Sequence, residues 1–201
     1  MKVLLVLVDG CQAQVCVSFT DMIHKIFDHN FFIQFQALDK EKFYSEIETE
    51  VVNNFNEYSW SSKCRVSTTR LNLSKYIKFL QPNVDEFSKI IGKNFNYRVN
   101  DMWLNTYDYG SYQEIHDHVP ADISCVFFPN TGEKFSEFYF RDRSSADVSY
   151  KLKQILNLYD LWTPSISSGD IIFFPSNMLH GVSCHLSSTL RKTVSCDIII
   201  E

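Results

Sequence analysis

The chain has 201 residues, 45% of them hydrophobic, and a formal net charge of −5. That is enough for one domain with a buried core, and Gly 6 and Pro 5 are too few for a disordered or low-complexity chain. An acidic balance without any Lys/Arg block argues against nucleic acid or an anionic membrane as partner, and no stretch reaches transmembrane length.

The chain opens on an apolar run, residues 3–8, that Asp9 interrupts. It is shorter than the core of a secretion signal and is read as a first β-strand, with secretion as the lesser alternative. Six cysteines (Cys11, Cys16, Cys64, Cys125, Cys184, Cys196) are dispersed without a CxxC pair, the pattern of reduced thiols, so a cytoplasmic location is expected. Apolar residues recur at helical spacing over 19–29 (Phe19, Met22, Ile23, Ile26, Phe27) and over 39–54 (Phe43, Ile47, Val51). Residues 73–79 and 84–91 suggest two short helices, with Pro82 marking the boundary between them.

From residue 94 the period changes. Short β-like runs appear at 102–109, 115–119, 123–128, 138–140, 171–174 and 194–200, with turn chemistry at 129–132 and 167–170. A helical insert at 146–158 interrupts them. Aromatic residues, 15% of the chain, favour such a β-rich core because rings pack well on pleated surfaces. The expected architecture is mainly β with α, in a single domain over 1–201. In it an N-terminal helical layer, 1–93, supports a β-sandwich or barrel over 94–201.

The residues that carry chemistry lie in the β-rich half. His116 and His118 stand two apart, so on a strand their side chains share a face. His180, on a neighbouring strand, could complete a facial set of three ligands around one metal ion, leaving coordination positions open. Strand alternation turns Asp117 to the opposite face unless a bulge intervenes. On the last strand, Arg191, Thr193, Ser195 and Asp197 share one face, while Lys192, Val194, Cys196 and Ile198 share the other. Trp103, Phe173 and Phe174 read as core, Ser176 and Asn177 as turn formers, His185 as surface or rim, and His24 and His29 as structural.

The runs Trp103-Leu104-Asn105-Thr106-Tyr107-Asp108-Tyr109-Gly110, His116-x-His118, Ser124-Cys125-Val126-Phe127-Phe128, Gly169-Asp170-Ile171-Ile172-Phe173-Phe174-Pro175-Ser176, His180-Gly181-Val182 and Arg191-Lys192-Thr193-Val194-Ser195 resemble, in order and spacing, the 2-oxoglutarate/Fe(II)-dependent dioxygenases. The likeness is greatest to their small prolyl-hydroxylase-like branch and covers the second half of the chain. It implies a double-stranded β-helix (jelly-roll) with Fe(II) at its mouth, 2-oxoglutarate deeper inside and O2 as oxidant. His116 and His180 match the first and last ligands of the family's His-x-Asp…His triad. The middle position, a carboxylate in that pattern, is His118 here, which leaves more positive charge on the metal. Arg191 stands where the family binds the distal carboxylate of 2-oxoglutarate, with Lys192 as the fallback if the register slips by one. Asn105, Tyr107 and Thr193 would face the cosubstrate, and Tyr112 could reach the pocket from its loop.

The resemblance also implies hydroxylation of a protein, peptide or small-molecule substrate, peptidyl proline being the first to try. The loop 129–150, with Arg141, Asp142 and Arg143, is a candidate lid. Two rival readings use the same residues. One is a three-histidine zinc enzyme that polarises water; the other is a non-catalytic β-sandwich that serves as a binding or structural module.

Overall fold

The structure, a computed structural model, describes residues 30–51, 64–144 and 147–201. The expected strand at 3–8, the expected helix at 19–29 and His24, His29, Cys11 and Cys16 lie outside the described residues.

Alternation along the strands organises everything else. Six strands form one antiparallel sheet: β1 (Ile33–Gln36), β2 (Ser67–Arg70), β3 (Tyr97–Tyr107), β5 (Ile123–Phe128), β8 (Asp170–Pro175) and β10 (Arg191–Ile200), in the order β1-β8-β5-β10-β3-β2. Four others form a smaller antiparallel sheet: β4 (Gln113–His116), β6 (Phe138–Arg141), β7 (Leu161–Trp162) and β9 (Leu179–Val182), in the order β4-β9-β6-β7. Val126, Phe128, Ile172 and Phe174 of the large sheet pack against Phe138, Phe140 and Val182 of the small one. This is the jelly-roll expected from the sequence. The other parity of the same strands, Cys125, Phe127, Ile171, Phe173, Val194, Cys196 and Ile198, faces the helices. Each central strand of the large sheet is thus buried on both sides, which explains its near-continuous hydrophobicity.

Two helices cover the outer face of that sheet. In α1 (Lys40–Val51), Phe43 stacks on Phe79 and on Phe127, both at 5.1 Å between ring centroids. In α2 (Leu73–Ile91), the buried stripe Tyr76, Phe79, Leu80, Asn83, Val84 and Phe87 keeps helical spacing throughout. The expected break at Pro82 does not occur, and residues 73–91 form one helix. Proline withdraws a single N–H, whereas the apolar stripe runs past it on both sides. Asn83, buried beside it, donates from Nδ2 to Phe79 O (2.7 Å) and accepts the Leu38 N–H at Oδ1 (2.9 Å), tying the helix to the segment before α1. Asn72 caps the start through its side chain, and Gly92 (φ 67°) ends it in a left-handed turn that a residue with a Cβ rarely adopts.

Other boundaries moved for local reasons. β3 stops at Tyr107 because Asp108 to Ser111 turn, with Ser111 N donating to Asp108 O (3.0 Å). The expected strand at 115–119 ends at His116, and a turn closed by Ala121 N on His118 O (2.9 Å) follows. Within the described part of the insert at 146–158, the short helix α3 (Tyr150–Leu156) forms and buries no side chain. The edge strands β1 and β2 were not expected; they are four residues each and carry polar residues such as Gln34, Gln36, Thr68 and Arg70.

Candidate metal centre and inner pocket

His116 closes β4 directly opposite His180 of β9, the two being a register pair across the small sheet. The neighbouring Phe138 and Phe174 rings wall in His180, which is almost wholly buried. His118 reaches the same place by another route than expected. It lies beyond the end of β4, so strand alternation does not orient it; its backbone N–H donates to Ser176 O (2.9 Å), docking the turn against the end of β8. The potential ligand atoms of His116, His118 and His180 all lie within 4.8 Å of one another.

Their hydrogen bonds decide which nitrogen can bind a metal. His116 Nδ1 faces Glu114 O (2.7 Å), His180 Nδ1 faces Met178 O (2.9 Å) and His118 Nδ1 faces an Asp197 carboxylate oxygen (2.8 Å). A carbonyl or carboxylate oxygen only accepts, so each Nδ1 carries a proton, which leaves Nε2 as the ring nitrogen that can turn to a metal. Burial lowers the pKa of His116 and lowers that of His180 far more, with the other imidazoles adding to the effect. Neutral imidazoles with aligned lone pairs are what a divalent cation needs. Asp117 is not in the cluster. Its carboxylate pairs with Arg143 and accepts the Val119 N–H.

Behind the histidines a narrow inner pocket runs between the sheets, walled by Val126, Phe138 and Val182 and reaching Arg191. Arg191 is 3% exposed, and among the described residues its Nη1 has no hydrogen-bond partner. The guanidinium carbon lies 4.6 Å from the centroid of the Tyr107 ring, and among the described residues no carboxylate pairs with it. Burial depresses its pKa. Tyr107, also buried, donates its hydroxyl to Gln113 Oε1 (2.7 Å); desolvation raises its pKa while Arg191 pulls it back. Asn105 and Thr193 line the pocket but also engage each other and Ser195, and Asn105 Oδ1 accepts from Thr68 (2.9 Å). Lys192 points to the opposite face, its ammonium 3.7 Å from Glu48, so the strand register is not off by one.

Three expectations are corrected. Trp103 is half-buried and stacks on His118 (5.3 Å between centroids, 12° between planes) because it shares the parity of Asn105 and Tyr107. His185 is fully buried, with Ser136 N–H on its Nδ1 and its Nε2 against Thr189 O; it fastens two loops. Tyr112 is 38% exposed and bridges Arg65 instead of lining the pocket. Asp197 and Gln113 were missed as site residues, although the parity of β10 already put Asp197 on the inner face. Outside the histidines a groove of about 1040 Å3 opens, bordered by Trp103, Val119, Pro120, Arg70 and Asp101.

Residues 101–197, which hold this whole constellation, match the sequence pattern of the family described as "Putative 2OG-Fe(II) oxygenase". The family it matches is that of the 2OG-Fe(II) oxygenases. Solved structures agree in fold. A 2OG-Fe(II) oxygenase family oxidoreductase from Burkholderia pseudomallei aligns with TM-score 0.63 at 12% identity, over 84% of this chain and 85% of that one. A Pseudomonas putida prolyl-4-hydroxylase aligns with TM-score 0.60 at 10% identity, over 85% and 92%. A viral collagen prolyl hydroxylase from Paramecium Bursaria Chlorella virus-1, solved as its 2OG complex, aligns with TM-score 0.57 at 13% identity, over 87% and 98%. No curated protein matches the chain. Among the described residues no helix is long and apolar enough to cross a membrane.

Proposed function

We propose that this oxygenase binds Fe(II) through His116, His118 and His180, takes 2-oxoglutarate and O2 as cosubstrates, and hydroxylates a protein, peptide or small-molecule substrate. One observation carries the reading: the ligand atoms of three histidines gather at the outer end of a narrow pocket whose inner end is a buried guanidinium with no carboxylate partner among the described residues. A zinc hydrolase or a binding module has no use for that second element. A five-carbon diacid does, because holding it at both ends orients its keto-acid toward the metal. The residues present therefore fit both groups.

Each residue has a definable task. His116, His118 and His180 would hold the metal. When bound, the iron supplies redox chemistry that couples decarboxylation of 2-oxoglutarate to oxidation of a C–H bond. Arg191 offers two parallel donors to the distal carboxylate, and the Tyr107 ring beneath it limits its rotation. Val126, Phe138 and Val182 form the apolar part of the pocket wall. The groove beside Trp103 receives the substrate, and the similarity of fold to prolyl hydroxylases makes peptidyl proline the first to offer. Arg143, bonded to Asn177 O (3.0 Å) and to Asp117, ties down the loop at the groove's rim and makes it a candidate lid.

Anaerobic titration with Fe(II) and then 2-oxoglutarate tests the reading. The expected result is a weak visible charge-transfer band, followed on admitting oxygen by succinate release. Retention of zinc with no 2-oxoglutarate binding would instead favour the hydrolytic rival.

A further inference from the structure

The three ligands proposed above are all neutral, and Asp117, the nearest carboxylate in sequence, is turned out to Arg143. Another carboxylate stands directly behind the centre. Asp197, on the inner face of β10, places Oδ1 2.8 Å from His118 Nδ1, and the two side chains are 15% and 12% exposed. Four contacts close a ring around this pair. His118 N–H donates to Ser176 O (2.9 Å), Ser176 Oγ meets Ser124 Oγ (2.8 Å), Ser124 Oγ donates to Asp197 Oδ1 (3.1 Å), and Asp197 accepts from His118. Trp103 stacks along the imidazole. His118 is thereby held at its backbone, its ring face and its far nitrogen, although it belongs to no strand.

We infer that Asp197 is a positioning residue that supplies, through His118, the negative charge the ligand set itself lacks; the inference rests on the metal reading above. A carboxylate on Nδ1–H draws that proton toward itself and makes Nε2 a stronger donor, as outer carboxylates do for metal-bound histidines. The strand does not need the carboxylate for this. Asp197 lies within the paired backbones of β3, β5 and β10, whose ladder is independent of its side chain. A purely structural role would be met equally by an amide of the same shape.

The test is Co(II) affinity and the Co(II) d–d spectrum in wild type, Asp197→Asn, His118→Asp and the double variant, with metal-free melting as a check on folding. Asparagine keeps the shape and an acceptor but removes the charge. Asp197→Asn should weaken Co(II) binding about 10–100-fold and shift the spectrum. In the His118→Asp background, where a carboxylate already stands among the proposed ligands and no imidazole remains there to be polarised, the same change should cost nothing or strengthen binding. Asp197→Asn affinity within about twofold of wild type would overturn the inference. So would an equal loss in both backgrounds, or loss of the metal-free melting transition, each assigning the carboxylate to the fold. Wild type that fails to bind Co(II), or binds it independently of His116, would remove the metal reading itself.

Discussion

At Arg191, stability and the proposed function pull in opposite directions. A buried guanidinium without a carboxylate partner is costly, and apolar replacement of buried charge is often neutral or stabilising. Arg191→Met should therefore raise the melting temperature of the ligand-free protein. The same change removes the partner of the distal carboxylate, a loss of about 3–5 kcal/mol, so 2-oxoglutarate should bind at least about a hundredfold more weakly, with metal content unchanged. Titration of the metal-loaded variant reads both; undiminished affinity would end the cosubstrate assignment. Among the proposed ligands, His116→Ala or His180→Ala should abolish metal retention, whereas Asp117→Ala should spare it. The histidines also set a pH dependence. Burial holds the pKa of His180 well below the usual 6.5, so the folded state binds fewer protons than the unfolded one. Stability of the metal-free protein is then fully present above 6.5, begins to fall as pH drops below that value, and falls until the depressed pKa is passed. Thermal melts of the metal-free protein from neutral to mildly acidic pH should show this decline, and His180→Gln should flatten it.

At the scale of the element, α2 carries the clearest consequence. From within the helix–sheet core, Asn83 accepts the Leu38 N–H and adds a second hydrogen bond to the Phe79 carbonyl. Asn83→Ala removes the acceptor of the part-buried Leu38 N–H, at roughly 1–3 kcal/mol if that donor is left without a partner. Denaturant unfolding should register that loss, with metal affinity nearly intact because α2 faces the sheet surface opposite the site. β10 illustrates the complementary case. Its odd positions, Arg191, Thr193, Ser195 and Asp197, line the inner pocket and centre, while Val194, Cys196 and Ile198 anchor it to the helices. A one-residue slip would therefore destroy core and site together, and pairing on both sides by β3 and β5 opposes it.

For the molecule as a whole, the site joins the two sheets. His116 and His180 belong to the small sheet, Arg191 and Asp197 to the large one, and His118 to the turn between β4 and β5. Ligands that bridge them should stabilise the folded state by mass action, about 2.7 kcal/mol at a hundredfold excess over Kd. Metal and 2-oxoglutarate together should thus raise the melting temperature beyond metal alone. In Arg191→Met the second increment should vanish while the first remains. A 2-oxoglutarate increment in the absence of metal equal to that in its presence would argue against a shared site.

The sequence by itself determined which residue types could do chemistry and the parity that groups them. His116, His180 and Arg191 were legible because their order and spacing resemble a known pattern. The strands 123–128, 171–174 and 194–200 were legible because both their faces are buried, which makes them continuously apolar. The unbroken α2 was not, since a local proline signal competes with an apolar stripe whose partner is a distant sheet. β1 and β2 were hidden because short polar edge strands are held by their neighbours' hydrogen bonds and carry little hydrophobic pattern of their own. Tertiary structure alone decided that His118 arrives through a turn docked on Ser176, that Trp103 stacks on it, and that Asp197, 79 residues away, stands behind it. Local periodicity sets the face of each strand; which faces meet depends on the closure of two sheets by contacts remote in sequence.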